Sequence, residues 1–160
     1  MRRAERAVKE TFELAEILDR YTVCRIAFCT QDYPYIVPMN YGYVRDGDRF
    51  MLYFHCADTG EKLRLMREDA RVAFEIDGAH RIAGTGDVAC SYTMEYESII
   101  GQGLLTQVEG DEKLTGLRAV MRQVDPGRTF AFAEQAVRRV TVLRLDVETI
   151  SGKRNLGNTP

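Results

Sequence analysis

The feature that most restricts the fold is a series of short β-branched and aromatic segments separated by tight turns. The clearest pair is YIVPMNYGYVR (35–45) and RFMLYFHC (49–56), joined through the Asp-Gly of RDGD. Asp-Gly between two such segments is a strong hairpin signal. Further strands are predicted over 22–30, 70–78, 96–110 and 140–153, with Gly101 and Gly103 as bend or bulge sites.

Short connections between successive strands favour antiparallel pairing. About six strands in a small domain usually close into a barrel, because closure hides the strand edges. Helices are predicted over 11–20, 59–69, 111–124 and 133–139, with Thr11 and Asp111 as N-caps, whereas 79–94 shows no clear period. The length of 160 residues fits one domain, so the sequence predicts a single mainly β (α+β) antiparallel barrel with flanking helices.

Composition narrows the classes of function. The net charge of -2 argues against a dedicated nucleic-acid-binding protein, and no apolar run approaches the roughly 18 residues of a membrane span. The charged N-terminus does not resemble a secretory signal, so we expect a cytoplasmic protein. The four cysteines and two histidines lack metal-ligand spacing, so no metal site is expected.

The strand-turn-helix segment LYFHCADTGEKLRLM (52–66) is a candidate phosphate site. A helix start presents free backbone N–H groups and partial positive charge, so Lys62 in the first turn is explained if an anion binds there. Lys62, Arg64 and the Thr59 hydroxyl would then hold a phosphate. The alternative is that Thr59 is only an N-cap and Gly60 only a turn residue.

His55 and Pro38 each allow two interpretations. The His55 imidazole either hydrogen-bonds a backbone carbonyl or contacts a ligand as a donor or acid/base group. Proline cannot donate to a β ladder, so the strand around Pro38 is predicted to be bulged or at an edge. That interruption either is a plain bulge or frees main-chain groups around Pro38, Met39 and Asn40 for a flat heterocycle.

Five segments in order resemble the flavin-binding split-barrel family related to pyridoxamine 5'-phosphate oxidase, and within it the nitroimidazole-resistance branch. They are EILDRYTVCRIAFC, PYIVPMNYGY, LYFHCADTGEKLRLMREDARVAFEID, CSYTMEYESIIGQGLLTQVE and VLRLDVETISGKR. The resemblance covers about residues 11–154 of the single domain 1–160.

The resemblance implies a six-stranded antiparallel split barrel that forms a homodimer, with FMN, or alternatively FAD, in the groove between protomers. It places the flavin ring edge against the backbone of Val37, Pro38, Met39 and Asn40. It places the phosphate against His55, Cys56, Thr59, Lys62 and the amide of Leu63, with His55 also the catalytic candidate. The partner chain would contribute Tyr96, Glu97 and Ser98, and Lys153 and Arg154 would lie nearby.

The chain departs from the oxidase itself, because YIVPMNYGY replaces the family's FMN-binding strand motif and the basic residues that hold pyridoxal phosphate are not recognisable. Oxidation of vitamin B6 is therefore not the expected activity. The resemblance implies an FMN-dependent oxidoreductase acting on a small molecule, of the nitroreductase type. The alternatives are a non-catalytic flavin- or haem-binding module and a protein that uses the groove only to dimerise. Tyr41, Tyr43 and Tyr96 either stack on a flat substrate or fill the core and interface.

Overall fold

The computed structural model describes residues 4–156. Within them the strands are β1 (Ala7–Val8), β2 (Val23–Phe28), β3 (Tyr35–Asp46), β4 (Arg49–Cys56), β5 (Arg71–Ala83), β6 (Thr93–Val108) and β7 (Thr141–Asn155). The α-helices are α1 (Thr11–Arg20), α2 (Glu61–Glu68), α3 (Gly110–Val124) and α4 (Glu134–Arg138), and short 3-10 turns cover Ala4–Arg6 and Ala89–Ser91. No helix in this part of the chain combines the length and the apolar character needed to cross a bilayer.

The strands form one closed antiparallel barrel. Its order is β7-β4-β3-β2-β5-β6, and pairing of β6 with β7 completes the ring. The two-residue strand β1 pairs with the free side of β7 and adds a seventh strand outside the ring. The predicted six-stranded antiparallel barrel with flanking helices is therefore confirmed, and the fold is of the split-barrel type.

Alternate residues of each strand fill the barrel interior, as the period of two in a pleated strand requires. Helix α1 covers part of this core with Leu14, Ile17 and Leu18, which are all buried among the interior side chains. The Tyr41 hydroxyl donates a 2.7 Å hydrogen bond to the Leu18 carbonyl and so ties the helix to β3. Tyr41 is fully buried, so the hypothesis that it stacks on a substrate is wrong.

Helix α3 lies on the outer face of the β3–β4 hairpin. The approach is close because Gly42 has no side chain: a Cβ there would lie 2.1 Å from the backbone carbonyl carbon of Ala119. A second apolar cluster, including Tyr53, Val120 and Val142, fills this interface. The helix therefore covers one part of the barrel wall.

The strands predicted over 70–78 and 96–110 both extend into residues 79–94, for which no element was predicted. Strand β5 continues to Ala83 and β6 already starts at Thr93, so the segment forms the end of a long hairpin. A register shift between Gly78 and Arg81 interrupts the pattern of alternation, which explains why no period was visible. The predicted irregularity of β6 is confirmed on its β7 side, where the register shifts between Gln102 and Gly103.

The predicted helix caps are wrong. Helix α1 follows Glu10 and begins at Thr11, whose hydroxyl donates to Asp48 at 2.7 Å. Helix α3 follows Glu109 and begins at Gly110, so Asp111 lies inside the first turn. An N-cap is the residue just before the helix, and its backbone angles are extended and not helical. The chain that leads into the helix sets those angles, so the residue type alone does not identify the cap.

We expect Gly42→Ala to destabilise the protein by about 3 kcal/mol, at the upper end of the range for overpacking, because the added methyl group meets main-chain atoms. Urea unfolding measures this. Gly127→Ala is the matched control, since its Cβ would meet only an Asp125 carboxylate oxygen at 4.0 Å. Equal stability of the two variants would contradict the close packing of α3.

Candidate functional site

The barrel wall opens between β3 and β4. Tyr41 and Phe54 are the last residues that pair across these strands at this end. Beyond them, residues 35–40 of β3 pair only with β2, and His55 and Cys56 of β4 pair only with β7. Both strands therefore present unpaired main-chain edges to one opening, which we call the β3–β4 opening.

Pro38 lies on the open side of this arrangement. Its pairing with Arg25 belongs to a continuous β2–β3 ladder without a register shift, so the predicted bulge is wrong and the predicted edge is confirmed. The side chains of Val37 and Met39 pack toward the barrel core, whereas Pro38 and Asn40 are exposed. A ligand at this edge would thus meet the main chain, because residues 35–40 have no paired strand on that side.

The turn after β4 depends on Gly60. This residue precedes α2 with φ 132° and ψ 168°, a conformation that is essentially restricted to glycine. Because Gly60 is the N-cap and no side chain caps the helix, the interpretation of Thr59 as an N-cap is wrong. The first turn of α2 therefore retains uncapped amides at an exposed position.

Only some of the backbone amides in the first turn of α2 lack an acceptor within the chain. The amides of Leu63 and Arg64 both donate to the Gly60 carbonyl, at 3.1 Å and 3.3 Å. The Leu63 amide, which the resemblance offers to a phosphate, is thus already used within the chain. Within residues 4–156, the amides of Glu61 and Lys62 have no backbone acceptor, so these two are the available donors.

Lys62 is the available cation at this turn. Arg64 instead contacts Glu61 at 2.6 Å and Glu68 at 2.5 Å, so the hypothesis that it holds a phosphate is not supported. Lys62 is half-buried and has no carboxylate within salt-bridge distance in the described chain. Burial raises the pKa of the Cys56 thiol, and the nearby Lys62 ammonium partly opposes this rise. An uncompensated positive charge therefore lies beside the end of β4.

His55 and Cys56 point in opposite directions. Cys56 is half-buried and packs against the barrel core, whereas His55 is exposed and lies opposite Val142 of β7. Within the described chain, the His55 ring makes no hydrogen bond, so the interpretation that it serves a backbone carbonyl is not supported. The imidazole is free to meet a ligand.

The residues assigned to a partner chain lie elsewhere on the barrel. Tyr96, Glu97 and Ser98 are on β6, and Lys153 and Arg154 are on the adjacent end of β7. The Lys153 ammonium lies 5.6 Å from the centre of the Tyr96 ring. In the strand order, β6 is separated from β3 by β2 and β5, so one chain does not bring the two sets together.

Glu97 forms the centre of a buried ion cluster. It is only 2% exposed and accepts hydrogen bonds from Arg20 at 2.6 Å, Arg154 at 2.6 Å and Tyr21 at 3.0 Å. Burial opposes ionisation of the carboxyl group, but these donors hold its pKa below the ordinary value. The Glu97 and Arg154 side chains thus have a structural role within the chain, and their contact with a flavin stays a prediction.

No sequence pattern predicted that Arg20 and Tyr21 contact Glu97. They are 77 and 76 residues from Glu97, so no local spacing connects them.

Tyr43, a candidate for stacking on a substrate, already has a hydrogen-bond partner within the chain. Its hydroxyl donates to Asp19 at 2.7 Å. Three clefts of about 300 to 430 Å³ in the described chain lie elsewhere, since none of them is lined by the predicted flavin contacts.

We expect Glu97→Gln to lower the free energy of unfolding at pH 7 by about 1.5–3 kcal/mol, because it removes charge-assisted hydrogen bonds from Arg20 and Arg154, which keep only longer contacts with Glu13 and Glu16. The depressed pKa stabilises the wild type above the unfolded value near 4.3, and this contribution is lost as pH falls through the folded pKa. The difference between the two proteins should therefore narrow in acid.

Chemical denaturation from pH 7 down to pH 3 measures the effect. Glu68→Gln is the matched control, since its pair with Arg64 is exposed to solvent and therefore weak. A Glu97→Gln variant as stable as this control would contradict the buried cluster.

Known structures share this architecture. A provisionally assigned 5-nitroimidazole antibiotic resistance protein from Bacteroides thetaiotaomicron is 27% identical, with a TM-score of 0.79 over 92% of this chain and 85% of its own. An FAD- and haem-binding protein from Mycobacterium smegmatis is 20% identical, with a TM-score of 0.81 over 95% of this chain and 74% of its own. An FAD-binding protein from Mesorhizobium loti is 20% identical, with a TM-score of 0.66 over 94% of this chain and 97% of its own.

No curated protein gives a significant match. The family described as pyridoxamine 5'-phosphate oxidase matches residues 10–154, which is nearly the whole chain. Because this match agrees with the split-barrel fold, the chain belongs to the pyridoxamine 5'-phosphate oxidase family.

Proposed function

We propose that this chain binds FMN at the β3–β4 opening and acts as an FMN-dependent oxidoreductase of the nitroreductase type. One observation supports this most strongly: the uncompensated Lys62 cation and the free amides of Glu61 and Lys62 lie at the strand end that borders the unpaired edge of β3. A flavin mononucleotide has the two complementary parts, a doubly charged phosphate and a flat ring with donors and acceptors along one edge.

The phosphate end fits the Gly60 turn. A helix start attracts anions through its amides and its dipole, and Lys62 adds a full charge. The Thr59 hydroxyl is exposed immediately before Gly60 and can donate a further hydrogen bond. His55 and Cys56 border the same turn at the end of β4.

The ring end fits the edge formed by Val37, Pro38, Met39 and Asn40. These residues have β2 as their only paired neighbour, so their outer main-chain groups are available to a heterocycle. When bound, the flavin would supply the electron-transfer chemistry, and the protein would orient the ring and exclude competing reactions. FAD has the same ring and a phosphate at the same position, so the opening accepts either in principle.

His55 is the proposed catalytic residue. It is exposed, has no hydrogen-bond partner in the described chain and lies beside the proposed phosphate site. A neutral or protonated imidazole can transfer a proton at physiological pH, which suits the protonation of a reduced substrate. The second histidine, His80, lies on β5 and contacts Asp77 at 2.7 Å, so it is already partnered.

A homodimer is part of the proposal. Tyr96, Ser98 and Lys153 lie on strands across the barrel from the opening, so in this proposal a second copy brings them to the flavin. Val23, Ile36 and Ile100 are exposed apolar residues on the strands concerned, and a partner would remove them from water. The ion pair between Glu97 and Arg154 would then hold the neighbouring residues Tyr96, Ser98 and Lys153 in position.

A non-catalytic flavin- or haem-binding module is the second candidate. It is favoured by the scarcity of acid/base groups: His55 is the one free imidazole of the described chain, and the pKa of the nearby Cys56 thiol is raised by burial. The structurally similar protein from Mycobacterium smegmatis binds FAD and haem.

Lys62→Ala should weaken FMN binding by about tenfold or more and leave riboflavin binding unchanged, because only FMN carries the phosphate. Fluorescence titration of the apoprotein with both ligands measures this. Arg67→Ala, an exposed basic residue on the same helix without an ion pair in the described chain, is the matched control. Equal weakening of both flavins by Lys62→Ala would sink the phosphate assignment.

His55→Ala should retain flavin and lose turnover by about 10²–10⁴-fold, the usual contribution of a general acid. The protein should be yellow, bleached by NADH or NADPH and reoxidised by a nitroaromatic compound, as followed by visible absorbance. A yellow protein that neither donor reduces would favour the binding module. Loss of flavin from the variant would instead assign His55 to ligand binding.

A further inference from the structure

A cleft of about 300 Å³ lies beside helix α3. The C-terminal half of α3 and the following loop form it. Its walls share a combination of cationic and apolar side chains, contributed by Arg118, Met121, Arg122, Arg128, Thr129 and Phe130. No acidic side chain lines the cleft, and none of its residues belongs to the proposed flavin site.

The three arginines of this cleft differ in whether they have a partner within the chain. Arg122 donates a 2.6 Å hydrogen bond to the Tyr43 carbonyl, which fixes its guanidinium against β3. Arg118 and Arg128 are exposed and make no ion pair within residues 4–156. Elsewhere the chain pairs most of its partly buried arginines with carboxylates, as Arg144 does with Glu112 and Asp146. Three arginines thus face one cleft without a counter-charge from its lining.

The helix dipole does not explain why three arginines line this cleft. Basic residues near a helix C-terminus are stabilised within the last turn, and Arg122 is in that turn. Arg118 lies a further turn back, and Arg128 follows the helix in the loop. Arg118 and Arg122 are four residues apart on one face, a spacing at which like charges repel. A bound anion would relieve that repulsion.

The apolar side of the cleft suggests the shape of the ligand. The Arg128 guanidinium carbon lies 5.2 Å from the centre of the Phe130 ring, which is half-buried. This cation–π contact holds the guanidinium over an aromatic face and leaves its edge free for a bidentate contact. The half-buried Met121 adds an adaptable apolar surface.

We propose that this cleft binds a small aromatic anion whose phosphate contacts Arg118 and Arg128 and whose ring packs against Met121 and Phe130. Guanidinium groups match phosphate oxygens in pairs, which an ammonium group does not. The volume is at the lower end of the range for ligand sites, so it suits one ring system with a single phosphate. This site is separate from the β3–β4 opening and does not require the proposed FMN chemistry.

The test uses adenosine 5'-monophosphate as the probe, titrated calorimetrically into the full chain in the presence of one equivalent of FMN. Adenosine and inorganic phosphate are titrated in parallel, and each should bind at least about tenfold more weakly, because each lacks half of the contacts. Arg118→Ala and Arg128→Ala should each weaken the nucleotide by about tenfold or more. Arg128→Lys should recover only part of the loss, since it restores charge without the planar fork.

One control makes the result specific. Arg139→Ala removes an exposed arginine that does not line the cleft, so it should not change nucleotide binding. If Arg128→Ala lowers the melting temperature, the result for Arg118→Ala, at an exposed helical position, decides whether the proposal holds. The proposal is overturned if the nucleotide does not bind at millimolar concentration, or if it binds equally to wild type and Arg118→Ala.

Discussion

The end of the β3–β4 ladder at Tyr41 and Phe54 is the constraint on which the rest of the site depends. In a closed barrel, every strand edge is normally paired, and a pair of strands that separates leaves main-chain donors and acceptors without partners. Here the separation occurs where β3 carries Pro38, which cannot donate to a further strand. The same separation places the end of β4 and the Gly60 turn beside the free edge. One feature of the backbone thus creates both halves of the proposed flavin site.

Charge distribution divides the basic residues into two groups. Arg20, Arg154 and Arg64 contact carboxylates of their own chain, and those contacts stabilise local structure. Lys62 and the pair Arg118 and Arg128 have no such carboxylate in the described residues, and each adjoins a surface that can receive an anion. Because isolated cations on a surface need no ligand, each proposed site depends on the groups beside the cation. These are free amides and a turn that requires glycine for Lys62, and an aromatic wall for the arginines.

Local sequence patterns predicted most of the barrel because hairpin turns and the alternation of strand residues are encoded by adjacent residues. The Asp-Gly turn fixed the β3–β4 pair, and the edge position of Pro38 followed from its missing N–H group. Local patterns failed where pairing over long distances decides the outcome. The end of the β5–β6 hairpin has an irregular register, and Glu97 meets donors that are 57 to 77 residues away. The cap at Gly60 was missed because its φ of 132° is visible only in the folded backbone.

A crystal structure of the protein with FMN tests the central claim most directly. We predict phosphate oxygens within hydrogen-bond distance of the Lys62 ammonium and of the amides of Glu61 and Lys62, with the ring edge against residues 37–40. Residues of a second copy, including Tyr96, should complete the site. A flavin whose phosphate lies away from the Gly60 turn, or a β3–β4 opening that stays empty while FMN binds at another surface, would contradict the account.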